Sequence, residues 1–223
     1  MSKPFVARGS RVDRCAGCLL AKRVCICSYK LSYQSRAGFL LLMHHNETFK
    51  PTNTGRLIED CIAGTERHTW SRTEPSQALL SAINDPAADP YIVFPEGVGY
   101  ESRMVPFVDK PGKRPLFIVL DGTWRQARRM FRHSRYLEHL PVIQPVSEQA
   151  SGYRLRKAAV EGQLCTAEVA AEMLRMAGDQ AGGDILAAYF SIFNEHYRAA
   201  RLTRPLIEDT EAKQLIRAYQ QAF

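Results

Sequence analysis

An α/β chain built on a parallel sheet is the architecture this sequence points to, and three observations carry it. Short runs that are apolar on both faces recur, stretches with helical apolar spacing separate them, and each run stops at a polar cluster. Strands covered by helices on both sides read as continuous apolar runs, not as alternating ones. Their alternation with helices is the α/β pattern.

The chain opens with a block of different texture. Residues 1–36 carry Lys3, Arg8, Arg11, Arg14, Lys22, Arg23, Lys30 and Arg36 against a single acid, Asp13. Apolar content is low there, so this block is expected to lack its own core and to be organised by a metal. Residues 28–36 read as a linker, and residues 37–223 as the larger unit. Its first strand is Phe39-Leu40-Leu41-Leu42-Met43, followed by a helix over 54–64 with Leu57, Ile58 and Cys61 at helical spacing. A second helix over 74–84 carries Leu79, Leu80 and Ile83. Strands follow at Pro90-Tyr91-Ile92-Val93-Phe94, at Leu116-Phe117-Ile118-Val119-Leu120 and, more weakly, at Val142-Ile143. The last third is helical. Residues 168–177 place Val169, Met173 and Met176 on one stripe, with Thr166 as cap and Gly178 as stop. Asp184 is expected to cap a long helix through Tyr197, and 210–223 forms a final amphipathic helix with Leu215, Ile216 and Tyr219.

Lysine and arginine number 30 against 23 acids, a net charge of +7, which favours a polyanionic partner. The longest apolar run is far short of the ~20 residues that cross a bilayer. Met1-Ser2-Lys3-Pro4 has no apolar stretch behind it, so no export signal is expected and a cytoplasmic, reducing setting is. In that setting the six cysteines are metal ligands or buried thiols.

Ligands of open parallel sheets bind at the carboxyl ends of the strands. Three polar clusters stand there: His44-His45-Asn46-Glu47 with the following Pro51-Thr52-Asn53-Thr54-Gly55-Arg56, Phe94-Pro95-Glu96-Gly97, and Asp121-Gly122-Thr123-Trp124. They are expected to form one pocket. Asp121 follows an apolar strand and precedes a helix, so it either caps that helix or presents a carboxylate to a ligand. Arg125, Arg128, Arg129 and Arg132 fall at i, i+3, i+4 and i+7 with no acid between them, a face suited to phosphates. The turn at 52–56 offers helix-start N–H groups to an anion, with capping by Asn53 or Thr54 as the other reading. Gly97-Val98-Gly99 lacks the spacing of a dinucleotide fingerprint or a phosphate loop. Arg154, Arg156 and Lys157 beside Tyr153 suit a nucleic-acid backbone. Thr166 caps its helix or touches a ligand, and Cys165 is a small buried hydrophobe or, less simply, a nucleophile.

Cys15-x2-Cys18-x6-Cys25-x-Cys27 places four thiols within thirteen positions. Such spacing suits a structural zinc held by four thiolates, with an iron–sulfur cluster as the alternative.

These residues resemble the DTW-domain family, whose Asp-x-Thr-Trp signature Asp121-Gly122-Thr123-Trp124 matches. The resemblance runs through the four cysteines, Pro51-Thr52-Asn53-Thr54-Gly55-Arg56, Phe94-Pro95 and Gly162-Gln163-Leu164-Cys165-Thr166-Ala167-Glu168. It implies a knotted, SPOUT-like parallel-sheet domain with a helical C-terminal part. It also implies transfer of a 3-amino-3-carboxypropyl group from S-adenosylmethionine to N3 of a tRNA uridine. Asp121, Thr123 and Trp124 would then form the catalytic cluster. Thr54, Arg56, Phe94, Pro95, Glu96, Gly97, Leu120 and Thr166 would hold the donor, and Arg125, Arg128, Arg129, Arg132, Arg154, Arg156 and Lys157 the tRNA. The alternatives are a SPOUT-like RNA methyltransferase and a non-enzymatic zinc protein that binds RNA.

Overall fold

The computed structural model describes residues 12–145 and 164–222. Its strands are β1 (Gly38–Met43), β2 (Glu66–Thr69), β3 (Ala88–Val93), β4 (Arg114–Asp121) and β5 (Val142–Ile143). They form one sheet in the order β2-β1-β4-β3-β5, and every pairing is parallel. The helices are α1 (Arg56–Cys61), α2 (Gln77–Ile83), α3 (Trp124–His133), α4 (Thr166–Met176), α5 (Gln180–Leu202) and α6 (Glu211–Ala222).

Successive strand residues point to opposite faces, so each apolar run feeds two cores. Phe39, Leu41, Phe117 and Val119 pack with Ile58 of α1, Leu174 of α4 and Tyr189 of α5. Leu40, Leu42, Ile118 and Leu120 pack with Leu79 of α2 and Met130 of α3. This double burial is why the central strands have no polar alternation. β2 differs: Glu66-Arg67-His68-Thr69 is mostly exposed and pairs on one side only. A charged edge strand resists further pairing and carries no apolar signature, which hides it in the sequence.

Several boundaries depart from the periodicity. α1 ends at Cys61, not at residue 64, because Ile62 is extended and its neighbour Tyr33 bridges to it in parallel. α5 begins at Gln180, and its cap is Asp179, whose carboxylate accepts from the Gly182 N–H at 2.9 Å. Asp184, expected as that cap, lies inside the helix and pairs with Arg175 at 3.0 Å. α4 begins at Thr166, so Cys165 takes the cap position expected of Thr166. Gly178 does stop α4, with φ at 79°.

The cysteine segment packs on the main core. Cys18, Leu20, Val24 and Ile26 are buried in the cluster that contains Tyr189 and Phe193 of α5. The stretch expected as a linker is tied down: Tyr33 Oη and Ser35 Oγ both donate to Asp179, at 2.9 and 2.6 Å. α6 closes over the same side, with the Gln220 amide donating to the Ser28 and Lys30 carbonyls.

Phe117 is the centre of the sheet, fully buried on β4 with ring contacts to Phe39, Tyr91 and Phe107. Phe117→Ala is expected to lower the unfolding free energy by about 3–5 kcal/mol, read from urea unfolding of the purified chain.

Candidate active site and cysteine cluster

Parallel pairing brings all the strand ends to one edge of the sheet. At its centre Asp121 pairs with Met43 across β4 and β1, and only 2% of its surface remains exposed. A buried carboxylate needs hydrogen-bond donors. Asn53 Nδ2 donates to one oxygen at 2.6 Å, and Thr166 Oγ1 donates to the other at 2.9 Å. The Asp121 carbonyl accepts from the His44 N–H at 2.9 Å. Gly55 passes so close that a Cβ there would lie 2.7 Å from an Asp121 carboxylate oxygen, which accounts for glycine at that position.

Asn53 therefore does two things. Its amide oxygen accepts from the Arg56 N–H at 3.1 Å, and its amide nitrogen reaches Asp121. The helix-start N–H groups expected to hold an anion are already partnered: Leu57 and Ile58 donate to Thr54 and Gly55 carbonyls. What this turn offers instead is the Arg56 guanidinium. Arg56 is 8% exposed; one Nη donates to the Thr48 carbonyl, and the other is sealed with no partner. Burial lowers its pKa, because the cation loses hydration. An unpaired buried donor of this kind fits a carboxylate brought by a ligand.

Thr54 is 4% exposed and hydrogen-bonds the Cys165 thiol. Burial pushes that thiol's pKa up, which favours its protonated form. Cys165 caps α4, its N–H donating to Glu168 Oε2 at 2.8 Å.

Asp121 does not cap α3. Thr123 does, in a box where its N–H and hydroxyl donate to Gln126 Oε1 at 2.7 and 2.8 Å. Trp124 begins the helix and lies over Phe94, ring centres 5.6 Å apart, and Phe94 stacks on Phe131 at 4.4 Å. The Trp124 Nε1 atom is sealed with no partner. Beyond Phe94 much of the backbone is engaged: the Pro95 carbonyl accepts from Tyr100 Oη at 2.6 Å, and the Glu96 N–H donates to Gln144. A Cβ at Gly97 would meet that Tyr100 oxygen at 2.5 Å. Leu120 stays in the sheet core.

Arg125, Arg128, Arg129 and Arg132 are exposed and, with Trp124 and His133, line a depression of about 390 Å³. Among the described residues none of the four is ion-paired to an acid. Arg154, Arg156 and Lys157 lie outside the described residues.

Sequence reasoning named His44 only as part of the polar cluster after β1, and did not single out Gln126 or Trp70. His44 is 5% exposed, and its Nδ1 accepts from both the Asn46 N–H at 3.3 Å and the Gln126 amide at 3.2 Å. The signal was present, since a histidine directly after an apolar strand stands at the ligand edge.

The four N-terminal thiols converge. Cys15, Cys18, Cys25 and Cys27 place their sulfurs within 4.8 Å of one another, with contacts of 3.5, 3.6 and 3.7 Å. Tetrahedral thiolates at ~2.3 Å from a zinc ion stand roughly 3.8 Å apart, so the cage has the right size for such a metal. Backbone N–H groups of Cys18 and Gly17 lower the Cys15 thiol to about 6, whereas burial and the neighbouring thiols raise Cys18 and Cys27. A Cβ at Gly17 would lie 2.9 Å from the Cys27 sulfur, so the knuckle needs glycine. All four donors come from the protein, so an ion held there would have no open position and would serve structure rather than catalysis. Metal analysis of the purified chain is expected to give about one ion per chain, and Cys15→Ser to lower that occupancy and the thermal midpoint together.

A family model described as the DTW domain matches residues 12–198. No solved structure matches the chain. The matched span takes in the cysteine cage, every strand tip, Asp121 and Thr166; the chain belongs to the DTW-domain family, a family associated with tRNA modification.

Proposed function

We propose that this protein transfers the 3-amino-3-carboxypropyl group of S-adenosylmethionine to N3 of a uridine in tRNA. The observation that carries the reading is the buried Asp121 carboxylate, held at the β4 tip by Asn53 and Thr166. The donor's sulfonium makes its adjoining carbons electrophilic. N3 loses its proton and bonds to the methylene of the amino-acid arm, the carbon–sulfur pair returns to sulfur, and methylthioadenosine leaves. Which carbon reacts is decided by aim, so rigid placement matters more than raw reactivity.

The chain's own groups divide this work. Asp121 takes the N3 proton or steadies the positive donor, and the hydrogen bonds from Asn53 and Thr166 fix the carboxylate plane for either role. Arg56 pairs with the donor's carboxylate through its unpartnered Nη, which supports reading the amino-acid arm toward α1. Phe94 and Trp124 give an aromatic wall beside the 94–97 loop for the adenosine. Thr54 and Thr166 close the pocket between α1 and α4. The arginine face of α3, with Arg154, Arg156 and Lys157, holds the tRNA backbone. We further propose zinc as the ion in the cysteine cage, and a SPOUT-like, knotted C-terminal part. The all-parallel sheet and the return of Cys165 and Thr166 to the β1 and β4 tips support that likeness.

Donor labelled in the aminocarboxypropyl arm is expected to label tRNA, and methyl-labelled donor to leave it unlabelled. Label arriving from the methyl group instead would make the protein a methyltransferase. Asp121→Asn, which keeps the size of the buried group, is expected to lower the transfer rate about 10²- to 10⁴-fold; donor affinity by calorimetry stays nearly unchanged where the carboxylate moves the proton and falls where it steadies the donor. Arg56→Gln is expected to weaken donor binding about 10- to 100-fold, the loss of one charge-assisted hydrogen bond, in the same calorimetric assay.

A further inference from the structure

The β1 tip carries a set of aromatic rings that the transfer chemistry above does not use. His45 stacks on His44 with ring centres 4.3 Å apart and planes 29° from parallel. His44 in turn faces Trp70, at 6.0 Å and 18°. The inner rings are locked. Trp70 Nε1 donates to Ser134 Oγ at 2.9 Å, and the two hydrogen bonds accepted by His44 Nδ1 hold its ring. Two donors on Nδ1 also require that nitrogen to be unprotonated, so the His44 ring is neutral where it stacks. The outer ring is different. His45 is exposed, and among the described residues its side chain makes no hydrogen bond or ion pair. Four residues on, Phe49 is 84% exposed.

A rigid stack whose outer face is open to solvent is a platform for another flat π system. Its position narrows the choice. The His44 N–H is bonded to the Asp121 carbonyl, and the Gln126 that holds the His44 ring belongs to α3, one turn before Arg129. Thus the backbone of the platform is joined to the β4 tip that carries Asp121, and its inner ring is joined to the helix that carries the arginine face. A ligand with both an aromatic ring and phosphates meets all three features.

We propose that His45, backed by His44 and Trp70, is a stacking platform for an unpaired nucleobase of RNA. The proposal rests on the transferase reading for its RNA substrate and adds what that reading lacks, a group that holds a base at the β1 tip. N3 lies on the pairing edge of uracil, so a base that reacts there must be unpaired, with its faces free to stack. The arginine face holds phosphates in any sequence; the platform accepts only a base that has left its helix. It therefore selects loops over duplexes.

The test uses the full chain and a short single-stranded RNA carrying 2-aminopurine, whose fluorescence drops on stacking. Wild type is expected to quench the probe, and His45→Ala to lose the quench and weaken binding about tenfold, the loss of one base–aromatic stack. His45→Phe restores a ring and is expected to restore both. The same sequence as a duplex is expected to bind without quenching. The platform is overturned if His45→Ala quenches and binds as wild type does, or if His45→Phe fails to restore what His45→Ala loses. No donor enters this assay, so its result is independent of the transfer reaction. Absent transfer with a His45-dependent quench would sink the transferase reading alone, and active transfer with a quench indifferent to His45 would sink the platform alone.

Discussion

A single buried carboxylate joins the parts of this molecule that carry chemistry. Asp121 bonds to Asn53, 68 positions before it, and to Thr166, 45 positions after it. A buried charge without such donors is strongly unfavourable, so the three segments must assemble together or not at all. The demand spreads outward. Gly55 is needed because any side chain there would collide with Asp121. Asn53 is needed twice, once for the carboxylate and once for the first N–H of α1. Thr166 leads α4 away from the site, and Cys165 just before it seals against Thr54.

A second junction holds the opposite side. The cysteine cage stands against α5, and the only long-range partner of its neighbour Arg23 among the described residues is the Ala200 carbonyl of that helix. Below the cage lies Lys213 of α6, 1% exposed, bonded to Glu195 and to the Ile207 carbonyl and near the Tyr29 ring. A lysine this deep is tolerated only because its charge is matched and its hydrogens are used. The family match stops at residue 198, within α5, yet α6 beyond it supplies this contact and the Gln220 bonds to the cysteine segment. The cysteine cage and the C-terminal helix thus stabilise each other through α5.

The two junctions leave the α3 surface as the part still unsatisfied. Four exposed arginines at one-turn spacing repel one another, and among the described residues no acid offsets them. Among the described residues the fold does not relieve this repulsion, which is consistent with the polyanion partner proposed above. The cost is tolerable because α3 is anchored from below by Ala127 and Met130 and from its start by the Thr123 box.

The alternation of apolar runs and helical stripes was legible because it is a local property: a strand buried on both faces must be apolar at every position. The cysteine spacing was legible because in this chain all four thiols fall within thirteen positions, so the cluster is a local property too. β2 was not, because an edge strand packs too little to leave a pattern. The capping residues were misjudged by a few positions at α4 and α5, since Asp, Thr and Cys can each serve and only the packed turn selects one. Asp121 was readable as a carboxylate at a strand tip, and the arginines as one face. Asn53, Gly55, His44 and Thr166 were readable as members of the polar clusters and loops around the pocket, but Gln126 was not, nor was which of them would meet, because they come from segments separated by tens of residues. By itself the sequence determined the kind of chain, its cluster of four cysteines and its charged helix. The tertiary structure alone decided which side chains meet at the sheet edge, because strand order and the return of the C-terminal helices are set by long-range packing that no local pattern encodes.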